Sequence, residues 1–377
     1  NHDDFNYYHL TYSLGLTENK LLLGLGQFQH GYKHHSSLFF FNSIIFLPYI
    51  KYYLFHAHGW FILIFVNYYI IDHLLFKNIK KLNFEYYFYL LALLFIDIKF
   101  SRVGGYGTDL AAQMILLSLF PLIFTTLKIQ NNDQELKKNL SLIILIITLT
   151  TTLKSFFILN FLYLFLFFLF FNFKKIINYF ILSKVFLISF ITIFLLVMIN
   201  ISYTGCAVYP VKQTCLSNQL SWSLEKDHVH KMNNWYQQWS KAGAGINYRT
   251  KDPENYIKKF NWVGNWFEKY FLYKGKELVI GIIVINLLLL FLFRGNNKEP
   301  PDKRNNLILL SLLLTTMVLF FEWFYNHPAF RYGGYYLLCI ICFIPISFFL
   351  SKKKLLFIDK KKRIIFLSIF SIFFFYL

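Results

Sequence analysis

The sequence predicts an all-α, polytopic membrane protein, and three observations carry that prediction. Apolar residues make up 56% of the 377-residue chain and charged residues only 15%, against about 25% charged in an ordinary soluble domain. The charge is also segregated: long stretches carry none, and short runs carry most of it. The apolar stretches are hydrophobic all round rather than amphipathic, as suits helices that face lipid as well as neighbours. A helix satisfies its own backbone hydrogen bonds in lipid. A disordered chain, a disulfide scaffold and a compact cytosolic enzyme are excluded.

Apolar runs of roughly 17–25 residues mark spans. They fall near 38–55, 59–76, 86–100, 110–127, 140–153, 155–173, 181–202, 278–293, 306–321, 335–350 and 364–377, or about eleven membrane segments. Four regions follow: a polar first loop (1–37), an N-terminal transmembrane module (38–203), a large loop (204–277) and C-terminal transmembrane segments (278–377). The chain starts at Asn1 rather than Met. The expectation is a first span missing upstream, which would place 1–37 outside.

The net charge of +19 is mainly a sidedness device. Lys77, Lys80 and Lys81 form one basic cluster, Lys128, Lys137 and Lys138 another, and Lys174 and Lys175 a third. Arg294, Lys298, Lys303 and Arg304 follow, and then the run from Lys352 to Arg363. The positive-inside rule puts all five in the cytoplasm. No partner nucleic acid is expected, because such binding needs basic residues gathered into a folded patch. The 38–55/59–76 hairpin is ambiguous. Two true spans would leave 1–37 in the cytoplasm, whereas one interfacial helix would leave it outside.

The opposite loops hold the candidate chemistry. The first reads NHDDFNYYHL and later QHGYKHHSS. On a helix Asp4 would share a face with Tyr8, and Asp3 would lie near Tyr7. A carboxylate beside aromatic rings and His9 could serve acid–base chemistry on a sugar. The same aspartates could simply cap a helix. His30, His34 and His35 lie further on, with spacings that fit no recognised metal-ligand pattern.

Arg102, Tyr106 and Asp109 sit in SRVGGYGTD, where Gly-rich backbone and a guanidinium suit a phosphate. A tight turn with a Thr108 or Asp109 cap explains the stretch equally well. Lys154 interrupts a long apolar run, and it either marks an outside turn or faces an internal anion. His327 and Arg331 stand in EWFYNHPAFRYGGYY at a membrane re-entry point. In the large loop, Cys206 and Cys215 are close enough in sequence to close a ring, as an oxidising compartment would favour. Its Trp235/Trp239 and Trp262/Trp266 pairs suit either amphipathic helices on the membrane surface or an aromatic wall for a glycan. Cys339 and Cys342 are placed within an apolar span.

An acidic pair with tyrosines in a first extracytoplasmic loop, followed by about ten spans with the candidate loops on one side, resembles the GT-C superfamily of integral-membrane glycosyltransferases. More narrowly, the combination of HDDFNYYH, GCAVYPVKQTC and HPAFRYGGYY resembles a bacterial family of uncharacterised multi-spanning membrane proteins near it. The resemblance implies transfer of a sugar from a polyprenyl-phosphate donor to a glycan, lipid or protein acceptor in the cell envelope. It implies a multi-pass protein of the bacterial inner membrane with its active face extracytoplasmic. Asp3 or Asp4 would be the carboxylate that deprotonates the acceptor or orients it. Arg102, Lys154 and Arg331 would be candidates for the carrier's phosphate, with Tyr7, Tyr8, His9, His34, His35, Tyr106, Asp109 and His327 around the substrate. A divalent cation is a candidate cofactor. The rival readings are a transporter or flippase of lipid-linked glycans and an O-antigen-polymerase-like enzyme.

Overall fold

The computed structural model of the protein describes residues 5–77, 83–99, 108–243, 250, 252–275 and 303–351. The described residues are mostly helical, with no strand among them and only two isolated bridges. Among the described residues, six helical stretches are long and apolar enough to cross a membrane: Tyr52–Leu75, Thr108–Lys128, Asp133–Leu153, Lys184–Thr204, Lys303–Asn326 and Phe330–Ser351. Phe84–Ile96 and Ser155–Phe170 are apolar but shorter.

These helices account for part of the eleven expected segments. The runs at 278–293 and 364–377 fall outside the described residues. The run at 38–55 is not a spanning helix. It forms α2 (Ser37–Ile44), capped by Ser36 Oγ accepting from Leu38 N, and then a turn in which Leu47 O accepts from Ile50 N at 3.1 Å. Pro48 explains the break, because proline lacks an N–H and pushes the preceding residue out of helical geometry. The chain turns back at Lys51, where φ is 55°.

Proline also breaks the span at 108–128. α5 (Thr108–Leu116) and α6 (Leu119–Lys128) are separate helices. Pro121 has no N–H for the Leu117 carbonyl, and its ring crowds that group. At the start of α7 (Asp133–Leu153), Asn132 Oδ1 accepts from Glu135 N at 3.0 Å while its Nδ2 donates to Glu135 Oε2 at 3.0 Å. That reciprocal cap fixes where the helix begins.

Thr108–Lys128 is the most deeply buried of the six long helices, and Lys184–Thr204 is the most peripheral. Lipid is as apolar as the core, so packing and internal hydrogen bonds hold such a bundle together. Phe88 stacks on Phe120 at 5.1 Å between ring centres. Tyr163 and Thr316 hydroxyls lie 2.9 Å apart, and the Tyr336 hydroxyl donates to Asn160 Oδ1 at 3.0 Å. Such intramembrane bonds contribute about 0.6 kcal/mol each on average.

Contacts sort the helix ends into two groups. At one end Lys128 Nζ lies 2.8 Å from Glu85 Oε1, Lys175 pairs with Asp133, and Arg304 donates to Leu127 O at 3.3 Å. At the other end the first loop and the large loop meet. α11 (Lys226–Lys241) lies against the 5–37 segment there, with Lys33 Nζ donating to His228 Nε2 at 2.9 Å. Cys206 and Cys215 are joined by a disulfide beside the end of α10 (Lys184–Thr204). Trp262 and Trp266 are buried against Tyr270, Ala329 and Phe330. The Trp266 indole donates to Pro328 O at 2.9 Å, so this tryptophan pair packs within the protein.

Candidate functional site

Asp109 is the centre of the loop-facing end. It stands in the first turn of α5, whose N-terminus favours a negative charge. Its Oδ1 lies 3.1 Å from Lys154 Nζ and its Oδ2 3.7 Å from Arg331 Nε. Lys154 is where α7 stops: its backbone is extended, and its N–H still bonds to Thr150 O at 3.0 Å. Arg331 opens the helix Phe330–Leu338, an electrostatically poor place for a cation. Asp109 offers one oxygen to each cation. One turn along α5, Gln113 donates to Phe330 O at 3.0 Å and to Arg331 O, which ties the helix bearing the acid to the segment bearing the guanidinium.

Aromatic rings complete the cradle. The Arg331 guanidinium lies 4.5 Å from the Trp239 ring centre and 5.0 Å from that of Tyr332, and it donates to the Tyr332 hydroxyl at 3.0 Å. Lys154 Nζ lies 5.2 Å from the same Tyr332 ring. Cations over aromatic faces gain about 0.5–2 kcal/mol. Among the described residues two cations face one carboxylate, a local surplus of positive charge. Arg331 keeps a side-chain exposure of 38%, enough for a ligand to reach it.

The first loop supplies the next layer. His34 Nε2 and the Tyr236 hydroxyl lie 2.9 Å apart, and Tyr236 is 3.2 Å from the Tyr209 hydroxyl. Burial, followed by the charges of Lys154, His30, His35 and Arg331, holds the His34 ring well below the ordinary histidine range. Burial takes His35 down to about 3; its Nδ1 lies 2.8 Å from the Tyr12 hydroxyl. Burial and then the charges of Lys241 and Lys154 take His327 down to about 4. All three rings are therefore neutral near pH 7, leaving the positive charge to Lys154 and Arg331.

Residues 2–338 match a protein family described as Domain of unknown function (DUF8201). The chain belongs to that family. No curated protein and no solved structure matches it.

In this DUF8201 member, the structure brings Asp109, Lys154 and Arg331 together from widely separated positions, with His34 and His327 close enough to feel their charge. His9 is buried, its ring 5.1 Å from Phe39, and it interacts electrostatically with Asp109. Tyr8 does so with Arg331. Tyr7 is largely exposed, and His35 sits one layer away against Tyr12 and Tyr203. Asp3, Asp4, Arg102 and Tyr106 lie outside the described residues. Sequence reasoning missed Tyr332 and Gln113. The i,i+4 spacing of Asp109 and Gln113 was the available signal for the second. For Tyr332 the only signal was adjacency to Arg331.

Proposed function

We propose that this chain is an integral-membrane glycosyltransferase that moves a sugar from a polyprenyl-phosphate-linked donor to a cell-envelope glycan, lipid or protein acceptor. The observation that supports this most is the shared pairing of Lys154 and Arg331 with Asp109 at one end of an apolar helical bundle. Under the positive-inside rule, the end holding Lys128, Lys175 and Arg304 is cytoplasmic. The Asp109 end is then extracytoplasmic, facing the bacterial envelope, and the disulfide in the adjoining loop agrees with an oxidising compartment.

A donor reaching this end from the bilayer presents its phosphate to Lys154 and Arg331. The acceptor hydroxyl attacks the anomeric carbon, the bond from that carbon to the phosphate oxygen breaks, and the electron pair leaves on the phosphate. Preorganised cations stabilise that developing charge more strongly in a partly dry site than in water. Asp109 is already paired to both cations, so its role is to position them. Asp3 and Asp4, directly preceding Phe5 in the chain, are the proposed carboxylates that take the acceptor's proton. Tyr8 and His9 follow within the same stretch and interact with Arg331 and Asp109.

The test is transfer of labelled sugar in membranes from cells expressing the full chain. Arg331→Met or Lys154→Met should each lower transfer by about a hundredfold, and Asp3→Asn combined with Asp4→Asn should abolish it. Transfer at wild-type rates in Arg331→Met would defeat the reading.

A further inference from the structure

The large loop has a second polar feature, apart from the cation centre. A hollow of about 380 Å³ is lined mainly by Asp252, Asn255, Tyr256, Asn261, Asn265 and Lys269. It lies around the short helix α12 (Pro253–Ile257) and the following turns. That volume falls within the range of small-molecule sites, about 300–1,000 Å³.

Hydrogen bonding in its walls is one-sided. Asn261 Nδ2 donates to Asn255 O at 3.0 Å, and Asn265 Nδ2 donates to the Tyr256 hydroxyl at 2.6 Å. Tyr256 in turn donates to Lys241 O at 3.0 Å. Asp252 Oδ1 caps the helix by accepting from Asn255 N at 3.2 Å. The walls therefore use amide donors, while the side-chain oxygens of Asn261 and Asn265 and the second oxygen of Asp252 accept nothing among the described residues. These side chains are exposed or half-buried, so water meets their oxygens, and a ligand that binds here displaces that water with hydroxyl donors of its own.

Charge narrows the class. The Lys269 ammonium in the wall opposes a metal ion, and the Asp252 carboxylate opposes an anion such as phosphate. Hydroxyl groups on a neutral framework satisfy both, and Tyr256 is the aromatic residue of the lining. We infer that this hollow binds a small neutral saccharide through Asp252, Asn261 and Asn265. Tyr256 belongs to the same aromatic cluster as Trp239 and Tyr332, so one aromatic wall joins the hollow to the residues around Arg331. Saccharide binding stands on these residues alone; assigning the saccharide as the acceptor rests on the glycosyltransferase reading.

The test is saturation-transfer NMR on the detergent-purified full chain with glucose, galactose and N-acetylglucosamine, and with glucuronate as the anionic counterpart. At least one neutral sugar should give transfer and glucuronate should not. Asn261→Ala combined with Asn265→Ala should weaken binding about tenfold. Asparagine caps helices as well as aspartate, so Asp252→Asn keeps the fold while turning one acceptor into a donor, and it should weaken binding severalfold. Binding should persist in Arg331→Met, which separates this site from the cation centre. Absence of transfer from all neutral sugars, or undiminished binding in both the double variant and Asp252→Asn, overturns the inference.

Discussion

Lys154 and Arg331, 177 positions apart in the chain, each approach a different oxygen of Asp109, at 3.1 and 3.7 Å. Removing the shared partner leaves two part-buried cations facing each other without a counter-charge. Asp109→Asn should therefore lower the thermal unfolding temperature in detergent more than either Lys154→Met or Arg331→Met does. Equal or smaller destabilisation would show that Asp109 does not hold the two cations.

The neutral histidines make stability pH-dependent. The folded pKa values of His34, His35 and His327 lie below the ordinary 6.5, so the unfolded chain binds more protons once pH falls below that value. Stability is fully present above pH 6.5 and declines as pH drops toward about 4 for His327 and about 3 for His35. Each ring contributes up to about 1.4 kcal/mol per pH unit in that window. Unfolding measured from pH 8 to pH 4 should show this decline, and His327→Gln should flatten part of it.

Gly333 packs where a side chain cannot go. A Cβ there would lie 2.3 Å from the Trp323 ring, which is fully buried. Gly333→Ala should destabilise the fold by about 1–3 kcal/mol and displace neighbouring Tyr332. Gly264→Ala, at a position with open space around it, is the matched control and should leave the unfolding temperature nearly unchanged.

Cys206 and Cys215 should resist thiol labelling of intact cells until a reductant is added. Replacing both with Ser should cost about 2–4 kcal/mol and loosen Tyr209, whose hydroxyl meets Tyr236. Ready labelling of both cysteines without reductant would contradict the disulfide.

Legibility differed by kind of residue. The helical membrane character was plain from composition, because apolar length and charge segregation are local properties. The break at 38–55 was not, although Pro48 announces it, because a hydropathy run says nothing about backbone continuity. Lys154 and Arg331 stood out as cations in apolar or outward-facing places, a signal that lipid makes strong. Asp109 read equally well as a helix cap, and only the fold decides that its carboxylate reaches two cations. Tyr332 carried no individual signal, since a chain with 27 tyrosines offers many rings of that kind, and Trp239 stood out only as half of an i,i+4 pair. The Trp262/Trp266 pair illustrates the same limit, its spacing suiting membrane surface and protein interior alike.

Binding of a lipid-linked phosphate by Lys154 and Arg331 is the step proposed for this site. It is tested most directly by equilibrium binding of a polyprenyl phosphate to the full chain in zwitterionic nanodiscs, comparing wild type with Lys154→Met, Arg331→Met and both together. Charge-assisted contacts of about 1.5–3 kcal/mol each predict roughly tenfold to hundredfold weaker binding in each single variant and more in the double. Undiminished binding in the folded double variant would contradict the account.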